Sequence, residues 1–168
     1  MKRLNKIINV YTAVSIALLM SVANALPEDS ALPIQITADM GGYDQQLNEG
    51  FYDKNVVMTQ GTLEIRADNA KFSMVDNELE QVIANGQLIK IKYLPEKDKP
   101  WVYGQGEILE YFPKKNLLIL KKNAKLTQDT DIVEANVIEY NTLEKKVRAL
   151  SDANKSDRVF FEIKPKGK

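Results

Sequence analysis

Lys54-Asn55-Val56-Val57-Met58-Thr59-Gln60-Gly61-Thr62-Leu63-Glu64-Ile65-Arg66-Ala67 decides the fold. It reads as two strands joined at Gln60-Gly61, where a glycine supplies positive φ without steric cost. After the turn, Thr62, Glu64 and Arg66 alternate with Leu63, Ile65 and Ala67. A period of two puts charge on one face and apolar groups on the other.

The stretch recurs. Residues 122–130 match 54–62 at Lys, Asn, Thr, Gln and Thr, at a constant offset of 68 residues. A second marker shares that offset. A small residue precedes an aromatic by five positions at Ala38 and Tyr43, Ala67 and Phe72, Gly106 and Tyr111, and Ala135 and Tyr140. The markers are spaced 29, 39 and 29 residues apart. The unit is therefore a β-meander segment used about four times and grouped as two halves.

Working outward, residues 1–25 have the layout of a cleavable export signal. Lys2, Arg3 and Lys6 precede a mostly apolar run, and Ala23-Asn24-Ala25 supplies small residues for cleavage before Leu26. The mature chain is expected to be one β domain over 26–163 with a basic tail at 164–168. Of 23 basic residues three lie in the signal, which leaves 20 against 23 acidic ones. Such a balance gives no reason to expect nucleic acid, which would favour a basic patch. There is no Cys, so sheet and apolar burial must hold the fold without disulfides. There is no His either, which removes the commonest metal ligand and the usual acid–base group near neutral pH.

Pro27 to Pro33 is read as a flexible lead-in, followed by a first strand at 34–38. Met40-Gly41-Gly42 is expected to break it, and 43–47 to form a second strand. Asn85-Gly86 is a hairpin-turn signal, and Lys121-Lys122-Asn123 is read as a turn. The polar loop at 95–100 carries the ten residues by which the middle marker spacing exceeds the others. The last strand is expected at 158–163. No segment after residue 25 reads as a helix. Many short strands with frequent turns predict an all-β sandwich, roll or barrel whose end strands are exposed edges.

Enzymatic chemistry has little to work with. Cys-His and Ser-His-Asp sites cannot be built. Glu107 and Glu110 could pair as carboxylates, but they read better as solvent-face acids. Gly104-Gln105-Gly106 lacks the following helix of a phosphate loop and reads as a tightly packed strand. Asp39 and Asp68 each follow a small residue of the marker and read as turn caps rather than calcium ligands. What remains is an apolar inner face. It is either a filled core or an open groove for acyl chains, and periodicity alone does not separate the two.

Pro33-Ile34-Gln35-Ile36-Thr37-Ala38-Asp39 and the stretch from Asn55 to Asp68 resemble the OstA-like family of lipopolysaccharide-transport proteins. The resemblance covers roughly residues 33–163. It implies a twisted antiparallel β-jellyroll, open along one side and V-shaped. It also implies a periplasmic bridge that carries lipopolysaccharide acyl chains along an apolar groove from the inner to the outer membrane. On that reading Ile34, Ile36, Ile91 and Tyr111 fall on the groove face, joined through strand alternation by Met58, Leu63, Ile65, Ile89 and Leu118. The expected edge-strand interface is Ile34, Gln35, Ile36 and Thr37 at one end, with Val159, Phe160 and Phe161 at the other. The expected partners are lipopolysaccharide, further copies joined head to tail, and inner- and outer-membrane transport proteins with similar jellyroll domains. No cofactor, metal or catalytic residue is implied. The alternative is an adaptor β domain that pairs edges with membrane proteins around a filled core, without carrying lipid; a carboxylate-based glycan hydrolase is a more distant third. The 95–100 loop and the chain after Ile163 depart from the family pattern, which leaves docking at the outer membrane open.

Overall fold

A computed structural model describes residues 29–152 and 158–164 of the 168-residue chain. The expected export segment and its cleavage point lie outside the described residues, as does all of the basic tail beyond Lys164. Ten strands form one antiparallel sheet: β1 (Gln35–Thr37), β2 (Met40–Asp44), β3 (Glu49–Gln60), β4 (Leu63–Val75), β5 (Glu78–Tyr93), β6 (Val102–Phe112), β7 (Leu117–Gln128), β8 (Asp131–Asn141), β9 (Lys146–Leu150) and β10 (Phe160–Glu162). The order is β1-β3-β4-β5-β6-β7-β8-β10, with β2 also on β3 and β9 also on β8. Two single 3-10 turns, Asp29–Ala31 and Pro113–Lys115, are the only helical turns among the described residues.

One feature shapes the sheet. The strand ladders slip between Asp53 and Val56, Arg66 and Asn69, Asn85 and Ile89, Gln105 and Ile108, and Lys121 and Ala124. Bulges bend a strand and sharpen its twist. Aligned across neighbouring strands, these form a spine along which the sheet folds over. Each long strand is thereby split between two half-sheets. The first holds the segments around 56–66, 89–93, 102–105 and 124–134. The second holds 49–53, 69–85, 108–121 and 137–141.

The duplication is present in the backbone. The pairing from Val56↔Ala67 to Gln60↔Leu63 recurs as Ala124↔Ala135 to Gln128↔Asp131, shifted by the same 68 residues. Positive φ recurs at Asn48 and Asn116, Lys54 and Lys122, Asn55 and Asn123, and Gly61 and Asp129. The Met74 N–H donates to Asn48 O, and Thr142 N–H to Asn116 O in the second copy.

The spine also explains several misread turns. Asn85-Gly86 is not a hairpin, since β5 runs through it, and Gly61 is the one described glycine with positive φ. The Gln87 N–H donates to Asp68 Oδ2 at 3.0 Å, which holds the bulge. Lys121-Lys122-Asn123 is likewise a bulge inside β7, with Lys122 and Asn123 in the left-handed region. Asp39 accepts from Asn55 Nδ2 at 2.8 Å, and Glu107 from Asn123 Nδ2 at 2.6 Å. The acids that follow the small marker residues thus fasten the spine. Gly41-Gly42 lies within β2, and the first break falls at Ala38-Asp39. The second strand therefore ends at Asp44 rather than 47, and the last strand is shorter than expected, three residues at β10.

The core lies between the half-sheets. Ten buried apolar residues come from the first, including Met58, Leu63, Ile65, Ile89 and Ile91, and nine from the second, including Leu109, Tyr111, Leu118 and Ile138. Ile89, Leu109 and Ile138 expose no surface at all.

Candidate functional site

At the N-terminal end of the sheet the two halves part around a cavity of about 690 Å³. Leu32, Ile34 and Ile36 line it from one side, and Tyr52, Phe72, Met74 and Leu79 from the other. Ile34, just before β1, and Ile36 within it face inward, in alternation with the exposed Gln35 and Thr37. Opposite them, Phe72 stacks on Tyr43 and on Tyr52, each at 5.7 Å between ring centroids. The strands behind the rings carry glycine. A Cβ at Gly50 would lie 2.0 Å from Phe72 Cε1, so only glycine lets the ring settle against the sheet.

The cavity rim is held by polar contacts. Gln60, 3% exposed, is the one buried polar residue among those described. Its Nε2 donates to Ser30 O at 3.1 Å and Leu32 O at 2.9 Å, and its Oε1 accepts from the Tyr111 hydroxyl at 2.6 Å. Asp29 receives Thr62 N–H, Thr62 Oγ1–H and Leu63 N–H at 3.0, 2.6 and 3.1 Å. The lead-in expected to be flexible is therefore a strap from Asp29 onward, clamped over the β3–β4 turn. Further along the rim Lys114 pairs with Glu78 at 2.9 Å, and that bond raises the Lys114 pKa above its ordinary value.

Beyond the cavity the rims are closed. The Tyr93 hydroxyl donates to Thr142 O at 3.3 Å, and the Tyr93 and Tyr140 rings meet edge to face at 6.0 Å. Burial, and secondarily Tyr93, push the Tyr140 pKa far above the ordinary tyrosine value, so the hydroxyl stays neutral. Lys145 pairs with Glu96 across the same rim and lowers the Glu96 pKa.

Of the nine residues expected in the groove, Ile34 and Ile36 face the open cavity. Met58, Leu63, Ile65, Ile89, Ile91, Tyr111 and Leu118 are buried in the filled interior, each no more than 4% exposed. Alternation gave their inward direction correctly but could not report what fills the space opposite. Sequence reasoning missed Leu32, Tyr52, Met74 and Leu79. The small-then-aromatic marker does point at the site: Tyr43, Phe72, Tyr111 and Tyr140 occupy equivalent places on the second half-sheet, and Phe72 lines the cavity.

Replacing Tyr111 by Phe removes the bond between the half-sheets and leaves Gln60 Oε1 buried without that donor. Such a loss costs about 1–3 kcal/mol. The expected result in urea unfolding is a lower midpoint with an unchanged slope.

The sheet does not close on itself. Among the described residues β1 and β2 pair only with β3, and β9 and β10 only with β8, so each end presents an edge that no described strand covers. Of the expected interface residues, Gln35, Ile36 and Thr37 form β1 with Ile34 just before it, and Phe160 and Phe161 lie in β10 with Val159 just before it. Tyr43 is 49% exposed at one end, and Phe161 and Ile163 are 51% and 73% exposed at the other. Apolar groups on strands paired along one side only are templates for added β structure.

Residues 35–146 match the family described as LptA/(LptD N-terminal domain) LPS transport protein. The chain is 30% identical over 134 residues to the lipopolysaccharide export system protein LptH of Pseudomonas aeruginosa, covering 79% of this chain and 77% of that one. It is 30% identical over 150 residues to the lipopolysaccharide export system protein LptA of Escherichia coli K12, covering 88% and 80%. The crystal structure of P. aeruginosa LptH, the LptA-homologous periplasmic component of the conserved lipopolysaccharide transport device, superposes with a TM-score of 0.77 at 26% identity. That match covers 83% of this chain and 100% of the other.

Proposed function

The chain belongs to the LptA/(LptD N-terminal domain) family of LPS transport proteins, and from that membership we propose that it is a periplasmic carrier of lipopolysaccharide. The acyl chains enter at the cavity beside Ile34 and Ile36 and lie between the half-sheets. Phosphates and sugars stay in solvent. The observation that carries this reading is the open apolar cavity at one end of a sheet that never closes. Each methylene that leaves water gains about 0.8 kcal/mol, so a lipid of several chains is held without any catalyst. A cavity of about 690 Å³ is the size of an ordinary small-molecule site. Housing a whole acyl bundle therefore requires the closed rims to part. A passive cleft does no net work, so direction comes from an energy source elsewhere in the pathway.

On the same reading the protein is exported, processed before Leu26, and joined end to end through its free edges. Its partners are further copies and inner- and outer-membrane transport proteins that carry similar jellyroll domains. Together they bridge the two membranes.

The filled interior favours one rival, an adaptor domain that pairs edges and carries no lipid. Photo-crosslinking separates the two. A photoreactive side chain at position 36 is expected to capture lipopolysaccharide, and one at the outward-facing position 35 is not. Capture from neither position, together with no lipid retained in native mass spectrometry, supports the adaptor.

A further inference from the structure

The strap at Asp29 has a counterpart in the second half of the duplication. Leu32 lies 68 residues before Pro100, and Gln60 the same distance before Gln128. Gln60 Nε2 donates to Leu32 O at 2.9 Å, and Gln128 Nε2 to Pro100 O at 3.3 Å. The strap is therefore the first-half copy of the loop that leads into β6. The two differ where the strap is fastened. Lys97 stands in place of Asp29, and Asp129 in place of Gly61, in the turn that Asp29 binds. Asp129 keeps the left-handed backbone, with φ of 55° against 59° at Gly61. The turn itself thus accepts a side chain. The Asp29 carboxylate does not, since a Cβ on Gly61 would stand 2.6 Å from Asp29 Cγ. Glycine at 61 and aspartate at 29 are fitted to each other, as a latch that the second half lacks.

The latch holds a wall of the cavity. Ser30, Leu32 and Gln60 form one side of its mouth, and Met74, Leu79 and Pro113 lie on the other. The strap belongs to no strand, and none of its residues from Asp29 to Leu32 is buried. Segments with few buried apolar contacts open at lower cost than the body of a sheet. Gln60 serves the strap through Nε2 and the Tyr111 hydroxyl through Oε1. The strap and a bond between the half-sheets therefore share one side chain.

We infer that the strap is a lid on the side of the molecule: it swings off the β3–β4 turn to admit an acyl chain between the rims, and Asp29 latches it again. The inference rests on the lipid-carrying reading above and adds the way in. Entry is sideways, through the slot that the strap covers, rather than by threading from one end of the sheet. Leu32 leaves the cavity with the strap and returns against the bound chain. Once the strap is off, Gln60 no longer ties the rim to it, and the rims part more readily beside Tyr111.

The chain has no Cys, so an engineered disulfide can hold the lid shut without competing thiols. Asp29→Cys with Gly61→Cys suits this, because a sulfur in place of Asp29 Cγ falls close to the new Cβ. One mature protein is then measured in two states, with uptake of fluorescently labelled lipopolysaccharide followed by anisotropy. The expected result is uptake at least tenfold slower when oxidised than when reduced, with the unsubstituted chain indifferent to reductant. Asp29→Ala unlatches the strap without a new thiol or a strained turn. It is expected to speed both uptake and release about tenfold, and unfolding midpoints check that the sheet of each variant is intact. Should the disulfide not form, the Asp29→Ala rates decide alone. Equal rates in the oxidised and reduced states, or unchanged rates in Asp29→Ala, overturn the lid while lipid carriage stands. Should no protein take up lipid, the unsubstituted chain included, the carrying reading falls and the lid falls with it.

Discussion

Ile36→Asp is expected to leave the protein folded and to weaken its retention of lipopolysaccharide about a hundredfold. Ile36 sits on the three-residue edge strand β1, half-buried beside the cavity, so a carboxylate there can reach water without breaking the core. An acyl chain running past it loses the burial of three or four methylenes, roughly 3 kcal/mol, and each 1.4 kcal/mol is about tenfold in affinity. Gln35→Asp, on the outward face of the same strand, should change retention little. Titration at dilutions that keep both variants monomeric separates this effect from any on assembly. Equal losses from the two substitutions would sink the assignment of the cavity as the lipid site.

Leu109→Ala should act through stability instead. Leu109 exposes no surface and lies on β6, at the centre of the second half-sheet. Truncating a buried leucine costs about 2–5 kcal/mol, through lost transfer energy and the void left behind. For a chain of this size that lowers Tm by roughly 10 °C, measured by calorimetry. Any loss of lipid retention should disappear at temperatures where the variant is fully folded. The same logic holds for Ile89 and Ile138, and it distinguishes the filled interior from the open cavity.

The repeat, the all-β class and the inward direction of the apolar residues were legible because each depends on local spacing. Thr62 to Ala67 alternates without ambiguity, and the 68-residue offset needs only identities. What could not be read was the difference between a turn and a bulge. Asn85-Gly86 and Lys122-Asn123 carry residues suited to left-handed or tight backbone, which both features use. Only the partner across the ladder, such as Asp68 for Gln87, separates them. The site was half legible for a similar reason. Ile34 and Ile36 belong to a strand whose pattern is clear, whereas Tyr52, Phe72 and Leu79 reach the cavity because the sheet folds over, an event set by bulges on five different strands. The strap at Asp29 depends on contacts 33 and 34 residues away and left no local signal.

The row of bulges has a mechanical meaning. A sheet resists bending across its strands because ladder hydrogen bonds and close cross-strand pairs oppose it. Along the spine those pairs are already interrupted, so changing the angle between the half-sheets breaks few of them there. Opening is resisted by the buried apolar residues shared between the half-sheets and, at the opposite rim, by Gln60 with Tyr111, Tyr93 with Thr142, and Glu96 with Lys145. The half-sheets are therefore a stiff pair of jaws on a soft hinge, held together by a shared core and small clasps at the rim. The rim contacts are made by side chains that can be exchanged one at a time without disturbing the strands, so the ease with which the jaws part can be tuned apart from the fold.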